Sequence, residues 1–476
     1  MGSISAESLN EASTAPTPHD GVAKPASFDD RILVVGAGIG GLSAAIALSR
    51  AGFKSVTVLE ARDDLNEFGA SIGIWPFAAK VLQSYGLEAL MSEYVTTSDM
   101  TEIRNGYNNE SLGYLAQNVA DVNRIRYGAP SWGIHRVDYQ RVLAEGARRQ
   151  GCDIIFNQKV TRVNDDPLTV WCRHGGEKNA PDTPYRADLV VAADGLNSAV
   201  RSSVVSDAKF NPSPEISFRC SVPKDRMRDH PLLSPLLEND NPKFWVMEGK
   251  YVLTWPLPPQ RDFDVVVNIS DPSAAMPPED GSWGTRVDKE TMISQLGEMS
   301  PLIRALLDSV SQVVQWRTVE VLPIKTCRSP SGRIVLLGDA FHGMFPHNAC
   351  GGSSAIEDGA VLAECAAWAA RSNRSHLDAT QAYEDLRTPR VRRMQERSRA
   401  GVGFLSAAGD AWERRNGALA AQRIANDIDI RRTVEERRAD RPKPDMDAPW
   451  PSTEYLQWLN GYDAVLETRR YLAGVA

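Results

Sequence analysis

The chain has 476 residues, enough for more than one domain and a large core. Lys and Arg number 53 and Asp and Glu number 61, so the net charge of −8 argues against a nucleic-acid or anionic-membrane partner. Six scattered cysteines without paired spacing indicate reduced thiols, and seven histidines without ligand-type spacing indicate no metal site.

Residues 1–29 are rich in Ser, Ala, Pro and Thr, without a basic segment or an apolar stretch. We predict a disordered leader and no signal peptide or anchor. No apolar run reaches the length of about 18 residues that a membrane-spanning helix needs. We therefore expect a soluble, cytoplasmic protein, whose oligomeric state the sequence does not indicate.

The first predicted elements are two strands joined by a helix. The β-branched run Ile32–Val35 ends at glycine and predicts a buried parallel strand. Alanine-rich helical sequence follows to Arg50, and Ser55–Leu59 predicts the second strand. This order is the start of a dinucleotide-binding unit.

The turn after the first strand has the dinucleotide spacing of glycines, at Gly36, Gly38 and Gly41. The first permits the tight turn, the second lets the backbone approach a pyrophosphate, and the third lets the helix pack closely on the strand. Glu60, after the second strand, would accept hydrogen bonds from ribose hydroxyls and repel a 2′-phosphate. We predict a bound dinucleotide.

Further along the chain, the pattern changes twice. A glycine-punctuated loop around Gly73 leads to a predicted helix at 77–85, and another helix is predicted at 138–150. Residues 206–328 show strand-like alternation, with one helix expected near 290–308, and predict a mostly antiparallel sheet. A buried strand from Arg333 to Leu337 then returns to the first pattern, and helices follow.

The predicted fold class is α/β, a Rossmann-type domain interrupted by a mostly antiparallel β-sheet substrate domain, with C-terminal helices. Two insertions divide the dinucleotide domain. The predicted segments are a leader (1–29), the dinucleotide domain (30–110, 135–205 and 329–400), an inserted β segment (111–134), the substrate-binding sheet domain (206–328) and a C-terminal helical region (401–476).

Three motifs in this order carry a family resemblance: GAGIGG with Glu60-Ala61-Arg62, the segment Asp194–Arg201 (DGLNSAVR), and Gly338–His342 (GDAFH). Over residues 30–400 the chain resembles the group A flavoprotein monooxygenases, the aromatic-hydroxylase and salicylate-hydroxylase-like class. The resemblance implies FAD as cofactor. A second glycine fingerprint is missing, which suits NADPH or NADH as a transient co-substrate.

The resemblance also implies roles for individual residues. Asp339 would bind the ribityl hydroxyls, Asp194 would lie between FAD and the approach of the nicotinamide, and Arg136 would bind FAD from the start of a helix. The glycines of the loop before helix 355–370 would lie beside the isoalloxazine ring. The expected cofactor-binding residues are Gly36, Gly38, Gly41, Glu60, Arg62, Gly73, Arg136, Asp194, Asp339, Gly351 and Gly352.

The loop before helix 355–370 departs from the family pattern, which often has glutamine, alanine and asparagine where Cys350, Gly352 and Ser353 stand. Backbone contacts with FAD would survive these changes. The changes put the family's side-chain contacts with flavin or substrate in question.

The implied reaction is hydride transfer to FAD, capture of O2 as a C4a-hydroperoxide, and delivery of one oxygen atom to an electron-rich aromatic ring. Arg219 resembles an arginine that the family places near flavin and substrate, and we expect it to be catalytic by holding a developing oxyanion or gating flavin movement. The alternative is a surface cation. Cys220 replaces the commoner glycine and is expected to narrow the pocket.

The substrate prediction rests on FRCSVP and the Pro-containing leader, which are similar to fungal secondary-metabolism members. These include enzymes that epoxidise the indole 2,3-bond of alkaloids, after which semipinacol rearrangement gives an oxindole or spirooxindole. Hydroxylation of a phenol or polyketide is the competing reaction. A flavin oxidase or dehydrogenase and a non-catalytic FAD-binding protein remain alternatives.

Two further features have functional and structural interpretations. The aromatic residues Phe244, Trp245 and Trp255 are either pocket residues or ordinary core. The arginine run from Arg387 to Arg399 suggests polyanion binding, but in an acidic chain we interpret it as a solvated helix face.

Overall fold

The computed structural model describes residues 24–65, 70–98, 100–116, 120–175, 181–271, 273, 284–419, 443–447 and 452–475. Most of the predicted leader, residues 1–23, lies outside the described residues. Residues 24–29 belong to the folded domain, because the Ala26 N–H donates to the Arg374 carbonyl (2.7 Å) and the Phe28 ring packs on Phe53.

The secondary structure is named here by residue range. The strands are β1 Arg31–Val35, β2 Ser55–Leu59, β3 Ser71–Ile74, β4 Val95–Thr96, β5 Thr101–Asn105, β6 Ser111–Ala116, β7 Trp132–His135, β8 Asp153–Ile155, β9 Gln158–Asp165, β10 Leu168–His174, β11 Asp182–Arg186, β12 Leu189–Ala192, β13 Phe210–Val222, β14 Lys243–Met247, β15 Lys250–Trp255, β16 Phe263–Ser270, β17 Gly284–Val287, β18 Gln312–Val321 and β19 Ile334–Leu336. The α-helices are α1 Ile39–Ala51, α2 Pro76–Ser84, α3 Glu88–Met91, α4 Ala120–Tyr127, α5 Arg136–Arg149, α6 Lys224–Arg228, α7 Lys289–Leu296, α8 Pro301–Asp308, α9 Asp339–His342, α10 Gly351–Arg371, α11 His376–Leu405, α12 Thr453–Gly461 and α13 Ala464–Val475.

A parallel sheet with the strand order β19-β12-β1-β2-β8 forms the Rossmann-type domain. Its strands are short apolar runs because both faces are covered, and α1 and α10 pack against each other on one of them. The carboxyl ends of β1, β12 and β19 meet at one edge, where ligands bind in open α/β sheets. This arrangement confirms the predicted fold class.

The larger sheet has the order β17-β18-β13-β16-β15-β14-β5-β6 and is antiparallel except between β5 and β14. The chain enters this sheet at residue 101, earlier than the boundaries predicted from the sequence. Smaller antiparallel sheets join β3, β7 and β4, and β11, β10 and β9. The helix expected near 290–308 is divided in two, because Gly297 has a φ of +71° and Ser300 caps a new helix.

Alternation along the strands gives the large sheet two different faces. One face packs on α7 and α8 in an apolar core that includes Phe218, Cys220 and Val265. The prediction for Cys220 was therefore wrong. Its thiol is buried toward the helices, donates to the Val265 carbonyl and cannot narrow a pocket on the opposite face.

Candidate active site

The glycine turn after β1 is constrained by contacts with its neighbours. Gly36 has a φ of +99°, and a Cβ there would lie 2.6 Å from the Ala193 carbonyl oxygen. A Cβ on Gly41 would lie 2.0 Å from the Gly36 oxygen, whereas one on Gly38 would meet nothing within 4 Å. The turn is closed on its inner side and open at Gly38, as close approach of a pyrophosphate requires.

Glu60 lies beside this turn. One carboxylate oxygen accepts the Ala37 N–H (2.7 Å) and the other accepts the Arg62 N–H (2.9 Å). Gln140, which sequence reasoning missed, donates to the Ala37 carbonyl at 2.7 Å. The acid therefore fixes the turn, and its contact with a ribose stays a prediction.

The second and third loops lie at the same sheet edge. Asp194 accepts the Val200 N–H at 3.2 Å, and burial raises the pKa of its carboxyl group. Asp339 is exposed as the first residue of α9, and its side chain accepts no hydrogen bond from another described residue. A free carboxylate at a strand end fits the hydroxyls of a ribityl chain.

Arg201 joins these two loops, and sequence reasoning missed it. Its buried guanidinium donates to the carbonyls of Leu196 (2.8 Å) and Gly195 (3.1 Å) in one loop. It also donates to Ala340 (2.8 Å) and Asp339 (3.1 Å) in the other. The arginine that ends the second motif therefore fixes the third motif relative to it.

The α10 N-terminus continues the same wall. Cβ atoms added to Gly351 and Gly352 would meet only side chains, at 3.6 Å or more, so this backbone is accessible. Cys350 is fully buried and donates to the Asn348 carbonyl, while the Ser353 hydroxyl accepts the Trp75 N–H at 3.1 Å. The side chains that depart from the family pattern are thus occupied within the protein.

The second face of the large sheet carries Arg219. It is half-buried on β13, paired with Val266 on β16 and Val314 on β18. Within the part of the chain that the structure describes, its guanidinium has no hydrogen-bond or salt-bridge partner. Burial lowers its pKa, and the nearby Asp264 opposes that shift. Its donors are available to a bound molecule.

Asp264 links this sheet face to the cofactor domain. It is buried on β16, and its Oδ2 accepts hydrogen bonds from the Ser71 N–H (3.0 Å) and the Ser71 hydroxyl. Burial raises the pKa of the Asp264 carboxyl group, against the opposing effect of Ser71 and Arg219. No sequence signal could have paired residues so far apart in the chain.

Trp255 is the aromatic candidate that lies at the domain junction. It pairs with Asp264 across β15 and β16, and a Cβ on Gly73 would lie 3.0 Å from its ring. On Gly133, opposite Gly73 in the next strand, a Cβ would lie 2.1 Å from the indole Nε1. The predicted cofactor residue Gly73 therefore also provides space for Trp255.

The other two aromatic candidates lie on opposite faces of the large sheet, Phe244 on the face of Arg219. Trp245 is fully buried toward α7 and α8, and its Nε1 donates to Asn109 at 2.8 Å. Phe244 lies in a small cluster with Tyr251. Arg136, the remaining predicted cofactor residue, is exposed at the start of α5. Its positive charge contributes to the lowered pKa of Arg219.

The interpretation of the arginine run as a solvated face was wrong for two of its members. Arg387 and Arg390 are buried and form salt bridges with Glu357 and Asp358 on α10 at 2.7–2.9 Å. A helical period cannot tell which stretch of a long helix another element will cover.

Comparisons with known proteins agree with this geometry. A model of the FAD binding domain family matches residues 29–398. The chain is 26% identical over 438 residues to the FAD-dependent monooxygenase OpS4 of Beauveria bassiana (strain ARSEF 2860), covering 91% of this chain and 95% of that protein. It is 32% identical over 397 residues to 3-hydroxybenzoate 6-hydroxylase of Polaromonas naphthalenivorans (strain CJ2), covering 81% and 92%.

A solved structure of CtdE in complex with FAD and substrate 4 has the same fold, with a TM-score of 0.71 at 20% identity, covering 94% of this chain and 100% of that one. The chain belongs to the FAD binding domain family. It is a flavoprotein monooxygenase with FAD as cofactor, which confirms the predicted enzyme class and cofactor.

The described residues form neither a membrane-spanning helix nor a metal-binding cluster. No helix there is long and apolar enough to cross a membrane. Among those same residues, no group of His, Cys, Asp and Glu side chains is arranged to hold a metal ion.

Proposed function

We propose that the enzyme uses NAD(P)H and O2 to oxygenate an electron-rich aromatic secondary metabolite. The reaction is 2,3-epoxidation of an indole alkaloid, followed by semipinacol rearrangement to an oxindole or spirooxindole. The observation that carries the proposal is the half-buried Arg219 guanidinium, which has no hydrogen-bond or salt-bridge partner among the described residues.

FAD would lie at the carboxyl edge of the parallel sheet. The glycine turn and the α10 N-terminus would supply N–H groups to its pyrophosphate and flavin ring, and Glu60 and Asp339 would accept hydrogen bonds from its ribose and ribityl hydroxyls. The chemistry that bound FAD would supply is acceptance of a hydride from NAD(P)H and activation of O2. The protein excludes water and orients the substrate.

Arg219 acts on the oxygen that the substrate receives. Indole, O2, NAD(P)H and a proton give the 2,3-epoxide, NAD(P)+ and water. In the rearrangement one C–O bond of the epoxide breaks, a neighbouring group migrates and a carbonyl forms. The guanidinium donates to the oxygen while that bond breaks, when its negative charge is greatest.

The surroundings of Arg219 suit an indole. Val266 and Val314 lie opposite it on the adjacent strands, and Leu253 lies opposite Val266. An apolar surface with one cationic donor suffices for indole, because its C3 carbon is already nucleophilic.

A specific observation favours a second candidate, hydroxylation of a phenol or polyketide ring. A phenol reacts best as phenolate and needs a base. Burial raises the pKa of Asp264 on the same sheet face, which brings a carboxylate closer to the range of a general base. In this reaction Asp264 takes the phenol proton.

Single-turnover mixing of the FAD-loaded protein with NADPH or NADH, ¹⁸O2 and either a prenylated indole alkaloid or a phenol tests these proposals. We expect indole-stimulated flavin reduction and one ¹⁸O in an oxindole product. Peroxide formed in step with NAD(P)H consumption, without oxygenated product, contradicts the monooxygenase reaction on these substrates.

Asp264→Asn separates the two candidates, since it keeps the size of the side chain. Under the indole proposal the variant keeps turnover within about threefold, because no substrate proton is removed by Asp264. A loss of more than about 100-fold, confined to phenols and relieved at higher pH, assigns the phenol reaction.

A further inference from the structure

Helix α12 (Thr453–Gly461) lies beyond residues 29–398 of the family match, yet the buried cation Arg390 attaches it to α11. The Leu459 carbonyl accepts a hydrogen bond from Arg390 Nη2 at 2.8 Å. The rings of Trp458 and Tyr462 lie 4.8 Å and 4.1 Å from the Arg390 guanidinium carbon. Arg390 thus contacts α12 and the residue that follows it through one hydrogen bond and two cation–π contacts.

A chain of salt bridges continues from Arg390 into the protein. Its Nε and Nη2 donate to the two oxygens of Glu357, both at 2.9 Å. Glu357 Oε2 also accepts from Arg387 Nη1 at 2.7 Å, and Arg387 Nε donates to Asp358 Oδ1 at 2.7 Å. Arg387, Glu357 and Asp358 are fully buried, so two cations balance two anions away from water.

The chain of salt bridges ends at the cofactor edge of the parallel sheet. Asp358 Oδ2 accepts the Gly338 N–H at 3.0 Å and is 2.6 Å from His342 Nε2. Gly338 has a φ of +61° and a ψ of −140°, a conformation that only glycine adopts readily. The next residue is Asp339, whose exposed carboxylate is assigned above to the cofactor hydroxyls.

We propose that Asp358, Arg387 and Arg390 are positioning residues that couple helix α12 to the FAD-binding turn at Gly338. Asp358 holds the Gly338 N–H and so fixes the direction in which Asp339 leaves the sheet. Arg387 and Arg390 keep Asp358 in place, and α12 fixes Arg390. The proposal concerns only FAD and does not depend on which substrate is oxygenated.

The first test is Asp358→Asn, with Asp30→Asn as the matched control. Asp30 is also a buried carboxylate, 2.9 Å from a histidine nitrogen (His376) and accepting a backbone N–H (Ser27, 2.7 Å), but it lies at the amino end of β1, opposite the cofactor edge. We expect the FAD dissociation constant, measured by flavin fluorescence on apoprotein, to rise at least 30-fold in Asp358→Asn and less than threefold in Asp30→Asn, at similar loss of apoprotein melting temperature. Equal rises in the two variants, or no rise in the first, overturn the proposal.

A milder pair of variants covers the case in which Asp358→Asn does not fold. Arg390→Met keeps an unbranched apolar stem against the rings but removes every hydrogen bond to Glu357 and Leu459. Arg392→Met removes a cation from the same helix outside the chain of salt bridges. We expect about a tenfold rise in the FAD dissociation constant for the first, less than twofold for the second, and partial recovery in Arg390→Lys. If Arg390→Met binds FAD as wild type does, α12 is not coupled to the turn.

Discussion

The cofactor edge of the parallel sheet and the Arg219 face of the large sheet are built in different ways. At the cofactor edge, neighbouring loops are fixed by backbone contacts, such as the approach of Gly41 to the Gly36 carbonyl. On the sheet face, Arg219 and Asp264 are brought together by strand pairing between distant parts of the chain. The cofactor edge is specified by short sequence motifs, whereas the Arg219 face depends on the pairing register of strands that are distant in the chain.

This difference means that the two regions should fail differently when they are mutated. Changes at the cofactor edge should alter folding and FAD binding together, because the same backbone does both. Changes on the sheet face should leave FAD bound and alter only turnover.

The largest effect is expected from Gly41→Ala. The added Cβ would lie 2.0 Å from the Gly36 oxygen, so helix and turn must separate. We expect FAD content on purification to fall to near zero and apoprotein unfolding free energy to drop by about 3 kcal/mol. The control is Gly38→Ala, in open space, whose apoprotein should change by less than about 1 kcal/mol. A Gly41→Ala protein purified with full FAD content would contradict the packing argument.

Arg201→Met tests whether the two loops are held by one side chain. Four carbonyls lose their buried donor, so we expect apoprotein stability to fall by about 2–3 kcal/mol and FAD affinity to weaken about tenfold. Urea unfolding and FAD titration measure both. If only stability changes, the loops do not need Arg201 to meet the cofactor.

Arg219→Ala tests the other region. We expect FAD affinity within twofold of wild type and kcat/KM for the aromatic substrate lower by about 100-fold, since a charge-assisted hydrogen bond to the reacting oxygen is lost. Arg317→Ala, on neighbouring β18 in a salt bridge with Asp271, is the control and should retain turnover. Loss of FAD from Arg219→Ala would erase the distinction between the two regions.

Cys220→Ala should have the smallest effect. The thiol is packed against the helices behind the sheet, so we expect a stability loss of about 1 kcal/mol and an unchanged KM. A shift in KM for the aromatic substrate would show that the rear face of the sheet reaches the pocket.

The sequence was most informative where chemistry is local. The glycine turn, Glu60 and the order of the three motifs predicted the parallel sheet, the class and the cofactor, because each depends on residues close together in the chain. The roles assigned to single site residues stay predictions.

Long-range features could not be predicted in the same way. Cys220 and Arg219 are adjacent in sequence yet on opposite faces, and only the pairing of β13 with β16 shows which face meets the cofactor domain. The sequence predicts a solvated face for Arg387 and Arg390 because the chain is acidic, and nothing in their helix indicates that α10 covers them. Gln140, Arg201 and Asp264 were missed because their partners are backbone groups or distant strands.

The contact of Trp255 with the Gly73–Gly133 pair has a consequence for how this enzyme can diverge. Because a methyl group at either glycine would meet the indole ring, 3.0 Å from a ring carbon at Gly73 and 2.1 Å from the Nε1 at Gly133, these three positions cannot drift independently. A smaller residue at 255 must precede a side chain at Gly133, where the Thr96 hydroxyl, 2.8 Å from the added Cβ, must also move. Laboratory evolution of substrate scope at this junction should therefore follow a fixed order of substitutions.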